Sequence, residues 1–133
     1  MKKKTTTQPR IEDQAHYYKV GRLRKSVAEQ IRRVAADIYI SENYLKHIFN
    51  RHKKELEGIG ITPKVFVDLV VSNFNRIYKG TGRSILLVLW NGKPKVVAVE
   101  LNFALKKEFY EVKTATVMRK EFFNDRNLLW KKE

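Results

Sequence analysis

The sequence predicts an α+β domain in which N-terminal helices pack on one face of a four-stranded antiparallel sheet. Three observations carry that expectation: apolar residues at helical spacing between Val27 and Phe74, β-branched and aromatic runs after residue 74, and Gly-Thr-Gly and Asn-Gly turn chemistry between those runs. The 133 residues suit a single domain. Residues 1–10, "MKKKTTTQPR", read as a flexible basic tail with too little apolar surface to bury, and 11–133 as one α+β domain.

In chain order, Ser26 followed by Glu29 has a capping-box pattern, and Val27, Ile31, Val34, Ala35 and Ile38 recur at helical spacing, which predicts a first helix to about residue 36. Ser41 suits the cap of a second, with Leu45, Ile48, Phe49 and Leu56 on one stripe until Gly58. Thr62 and Pro63 open a third, "TPKVFVDLVVSNF", which is apolar nearly all round and so expected to be well buried. The runs "NRIYK", "RSILLVLW", "PKVVAVELN" and "FYEVKTATV" read as four strands of a meander, separated by "GTG" and "NGKP". The end, "RKEFFNDRNLLWKKE", suits a short helix whose Phe122, Leu128 or Trp130 packs back on the domain. In this layout the second face of the sheet stays free for a ligand.

Charge narrows the function. Lys and Arg number 28 against 14 Asp and Glu, a net charge of +14, and the pI is near 10.1. Residues 1–36 hold 10 basic and 3 acidic side chains, leaving 18 and 11 for residues 37–133, so each part contributes +7. Nucleic acid is the partner that best suits such an excess. The chain has no cysteine, which excludes a disulfide scaffold, a thiolate metal site and a cysteine nucleophile. The apolar run Ile85–Trp90 is far short of the roughly 20 residues that cross a bilayer, so the cytoplasm, with no membrane partner, is the expected location.

The stretch "YLKHIFNRHKKEL", residues 44–56, holds His47 and His52. At about 100° per residue, His52 falls in the middle of the apolar stripe, while His47, Arg51 and Lys54 share the opposite side; the two histidines stand roughly 140° apart around the axis. His52 is therefore either a satisfied core histidine or a half-buried imidazole suited to acid–base work, and the other three a solvated basic face or a phosphate contact. His47 and His52 are five apart with no Glu in place, which fails the zinc-helix pattern, and no Gly-rich phosphate loop is present, so neither metal nor cofactor is expected. In the last strand, strict alternation would point Lys113 and Thr114 opposite ways, so only a strand end or a bulge would let both serve one site. Lys113 suits charge neutralisation on a phosphorane, and Thr114 or Ser84 a hydrogen bond to a phosphate oxygen.

"ISENYLKHIFNRHKKEL", "NRIYKGTGRSILLVLW" and "FYEVKTAT", in this order, resemble the phage-associated branch of the barnase, EndoU, colicin and RelE-like nucleases over about residues 38–126. The most specific pieces are His47, Ile48, Arg51 and His52 as His-Ile-x-x-Arg-His, and Val112 to Ala115 as Val-Lys-Thr-Ala. The resemblance implies a barnase- or RelE-like fold and a metal-independent ribonuclease. The ribose 2′-hydroxyl would attack the adjacent phosphate, leaving a cyclic phosphate on one fragment and a 5′-hydroxyl on the other. It implies that His52 or His47 moves protons, Arg51 and Lys113 hold the phosphate, and Ser84 or Thr114 orients it, with Lys54 on the basic helix face as a further candidate phosphate contact. Members commonly serve mobile elements as toxins or effectors, which would add an acidic inhibitor protein to RNA as a partner. A catalytically inactive nucleic-acid-binding or protein-interaction domain is the alternative.

Overall fold

The structure, a computed structural model, describes residues 16–47, 54 and 62–133. Its centre is a mixed seven-stranded sheet of order β1-β2-β6-β5-β4-β3-β7. The strands are β1 (Tyr17–Leu23), β2 (Ala36–Ser41), β3 (Arg76–Lys79), β4 (Ile85–Leu89), β5 (Lys95–Ala104), β6 (Phe109–Arg119) and β7 (Leu128–Lys131). Every neighbouring pair is antiparallel except β2 and β6, which run parallel, with Ile38 opposite Tyr110. This corrects the expected four-stranded sheet under N-terminal helices: β3 to β6 do form a meander, but inside a larger sheet that recruits strands from both ends of the chain.

The first predicted helix, expected to reach about residue 36, ends near residue 30 and gives way to strand β2 at Ala36. Helix α1 covers only Lys25–Gln30, with Arg24 rather than Ser26 at its N-cap, and Arg32 just beyond it is left-handed at φ 58°. From there Ala36, Ile38 and Ile40 are buried at a spacing of two while Asp37, Tyr39 and Ser41 are half-exposed, the period of a strand. At the other end, the run expected as a terminal helix forms two short 3-10 turns, Lys120–Phe122 and Asp125–Asn127, and then β7, which pairs with β3.

Helix α2 (Pro63–Asn73) starts as the sequence suggests: Thr62 Oγ1 accepts the Val65 N–H at 3.3 Å and Pro63 occupies the first turn. It buries Phe66, Val67, Val70 and Val71 against β1, β4 and β5, leaving Val65 and Leu69 exposed, so it is one-sided rather than enclosed. These residues join Leu23, Ile38, Ile77, Leu87, Val99 and Val112 in the main core. Gly21 on β1 passes so close to the helix that a Cβ there would collide with Cγ1 of Val71, a buried and χ1-stiff side chain. Gly21→Ala is therefore expected to lower unfolding free energy by about 1–3 kcal/mol, readable as a lower urea midpoint.

The opposite sheet face is partly covered, not free. Tyr78, Val88, Val96 and Ala98 form a second cluster there with Trp90, Met118, Leu128 and Phe123, whose ring lies 4.8 Å from that of Tyr78. Of the side chains expected to fold back, Leu128 and Trp130 do so, while Phe122 is exposed and its neighbour Phe123 packs. Among the described residues, no helix is long and apolar enough to cross a membrane.

Candidate functional site

The sheet is stepped at one end. β4 begins at Ile85, opposite Leu101, whereas β5 continues to Ala104 before the turn into β6. A pocket of about 770 Å³ opens at that step, bounded by residues 32–34 after α1, by the β3–β4 turn at Thr81, Gly82 and Arg83, and by the β5–β6 hairpin through Asn102, Phe103, Leu105, Tyr110 and Lys113. Gly82 takes φ 62°, a conformation glycine adopts without a steric penalty, and so lets the turn carry Arg83 to the rim.

Arg32, Arg33, Arg83 and Lys113 line this pocket, and among the described residues no aspartate or glutamate does. Among the described residues none of the four is in an ion pair with a carboxylate. Arg33 Nη1 donates to the Arg83 carbonyl at 3.3 Å, tying the two arginine-bearing segments together across the mouth. The Tyr110 hydroxyl donates to the Val34 carbonyl at 2.6 Å and pins the same segment from below. Burial pushes the Tyr110 hydroxyl pKa up, against the opposing pull of the nearby Arg33 charge. Arg32 holds its left-handed backbone without being glycine, which costs roughly 1 kcal/mol. Arg32→Gly is accordingly expected to raise stability by about 0.5–1 kcal/mol in urea unfolding while weakening anion binding, opposite signs from one substitution.

Lys113 reaches the pocket because of a β-bulge. Glu100 pairs with Thr114 and Leu101 with Val112, leaving Lys113 as the extra residue of β6. Strict alternation fails there: Tyr110, Val112 and Ala115 are all buried, not split between faces. Thr114, half-exposed, is not part of the pocket wall. Ser84 is fully buried, with Oγ 2.8 Å from the Thr81 carbonyl and 2.5 Å from Glu100 Oε2, so its one proton is committed to shaping the turn rather than to a ligand.

The histidine helix is described only in part. Residues 42–47 are helical, Ser41 Oγ accepts the Tyr44 N–H at 3.1 Å, and Leu45 packs on the core. His47 and Lys54 are exposed, and neither lines the pocket. Arg51 and His52 lie outside the described residues. The pocket segment Arg32–Val34 precedes β2 and the helical residues follow it, with a six-residue strand of about 20 Å between them. Of the sequence-derived candidates among the described residues, Lys113 alone is placed in the pocket.

Sequence reasoning missed Arg32, Arg33, Arg83, Asn102 and Tyr110. The available signals were the Arg-Arg doublet in the strongly basic first quarter and an arginine directly after the Gly-Thr-Gly turn. Among the described residues no three His, Asp or Glu side chains come together in a set that would hold a metal ion. Comparison of the chain with family models, with curated proteins and with solved structures finds no match.

Proposed function

We propose that the protein binds nucleic acid, RNA first, by taking backbone phosphate into the basic pocket at the step of the sheet. One observation carries this reading: four cationic side chains from three separate segments converge on a single pocket whose wall, among the described residues, has no carboxylate. Gathering like charges opposes folding, and an anionic ligand offsets that repulsion. Guanidinium groups present paired donors that match phosphate oxygens. Asn102, Thr81 and Tyr110 add polar groups, and Val34, Phe103 and Leu105 an apolar wall, in a space much larger than one phosphate needs. The net charge of +14 extends the attraction beyond the pocket. The cytoplasm is the proposed compartment.

Cleavage of the bound RNA is the second reading, favoured by the fact that Lys113, which the family resemblance assigns to the phosphate, does line the pocket. Attack of the 2′-hydroxyl needs a base, and departure of the 5′-oxygen an acid. His52 is the residue proposed for one of these roles, with His47 as an outer partner.

The test uses end-labelled RNA of mixed sequence in EDTA with the wild-type chain, His52→Ala and Lys113→Ala, scored for retention on the protein and for cyclic-phosphate ends. Retention weakened by Lys113→Ala supports binding, and cyclic ends lost in His52→Ala support cleavage. RNA retained but intact removes the ribonuclease reading and leaves binding standing. RNA neither retained nor cut removes both.

A further inference from the structure

A second feature stands at the opposite end of the β5–β6 ladder. Lys95 and Arg119 face each other directly across the two strands, a like-charge cross-strand pair of the kind that destabilises a sheet. Among the described residues no carboxylate forms an ion pair with either, and Glu121, two positions on from Arg119, is exposed without such a bond. The neighbouring cations are already engaged. Lys120 Nζ donates to the Asn91 carbonyl and lies 4.8 Å from the centre of the Trp90 ring, and the Arg76 guanidinium lies 3.9 Å from that ring.

Lys95 and Arg119 instead border a hollow of about 400 Å³ whose wall includes Thr116, Met118 and Phe122. Phe122 is 72% exposed, although Phe123 beside it is packed. Two cations without counter-charges and an exposed aromatic ring at one small hollow have the chemistry that holds a single-stranded nucleotide, phosphate between the charges and base against the ring.

We infer that Lys95, Arg119 and Phe122 form a second contact for the same nucleic-acid strand, and this rests on the binding function proposed for the first pocket. Lys95 and Asn102 are seven residues apart on β5, about 23 Å at strand rise. A stacked strand advancing about 3.4 Å per nucleotide covers that distance in roughly seven nucleotides. Two linked contacts raise affinity far above either alone.

The experiment measures anisotropy of a labelled 12-nucleotide 2′-O-methyl RNA, which lacks the 2′-hydroxyl nucleophile, across a salt series with the full chain, Phe122→Ala and Arg119→Gln. Both side chains are exposed, and circular dichroism of each variant is the control for an intact fold. Phe122→Ala is expected to weaken binding about fivefold or more with an unchanged salt slope, the signature of lost stacking. Arg119→Gln is expected to reduce the slope of log affinity against log salt by about 0.7, one phosphate contact. Wild-type affinity and slope in both variants overturn the second contact while leaving the first pocket in place. A wild-type chain that does not bind the strand overturns both.

Discussion

Replacing Arg32, Arg33 and Arg83 together with glutamine is expected to lower affinity for a single-stranded 2′-O-methyl RNA by about a hundredfold or more at moderate salt. The salt slope should fall by about 2, since each lost phosphate contact on a single strand removes about 0.7. Glutamine keeps polar character and much of the side-chain length, so the pocket stays filled while its cations among the described residues fall from four to Lys113 alone. Arg33 also braces the Arg83 carbonyl, so the double variant Arg32→Gln/Arg83→Gln separates charge from bracing and should show most of the loss. The control neutralises Lys64, Lys131 and Lys132, three exposed lysines outside the pocket. An equal loss of affinity in both triple variants would mean that net charge, not the pocket, holds the strand.

The second large effect is on stability. Phe66 is 1% exposed at the centre of the face α2 turns to the sheet, and Phe66→Ala should cost about 3–5 kcal/mol. Small domains have only about 5–15 kcal/mol in total, so the variant is expected to unfold at a much lower urea concentration, with far-UV dichroism and tryptophan fluorescence changing together. The effect reaches the pocket, because α2 packs on β4 and β5, whose staggered ends form the step. A midpoint within experimental error of wild type would mean that α2 does not anchor this core.

The meander and its turns were legible because each signal was local. Gly82 supplies a left-handed turn residue, Thr62 and Pro63 open α2, and β4 and β5 are dense in β-branched and aliphatic residues. What escaped was hidden by coincidences of period. Val27, Ile31 and Ile38 satisfy helical spacing, but Ile38 also belongs to the alternating set Ala36, Ile38, Ile40, and only the left-handed Arg32 ends the helix between them. In β1 the register shifts between Lys19 and Gly21, which places buried Val20 and Leu23 three apart and conceals the strand. The four-residue β7 is too short to show a period, and pairing with β3 decides its form.

The site was harder to see for a different reason. Lys113 and Thr114 were candidates that could share one site only at a strand end or a bulge; a bulge does occur opposite Glu100, and it brings Lys113 but not Thr114 to the pocket wall. Arg32, Arg33 and Arg83 belong to no motif; their convergence depends on where β4 begins and on how the segment after α1 is pinned by Tyr110. Ser84 was a candidate because a hydroxyl can hydrogen-bond a phosphate oxygen; in the structure it is buried with Oγ 2.5 Å from Glu100 Oε2, a contact that sequence alone does not show.

The most direct test of the central claim is an amide chemical-shift map of the full chain during titration with the 12-nucleotide 2′-O-methyl RNA. Saturable shifts are expected at residues 32–34, 81–83 and 102–105, the three segments that meet at the pocket. Shifts that leave these segments unmoved, at concentrations where the strand is bound, would contradict it.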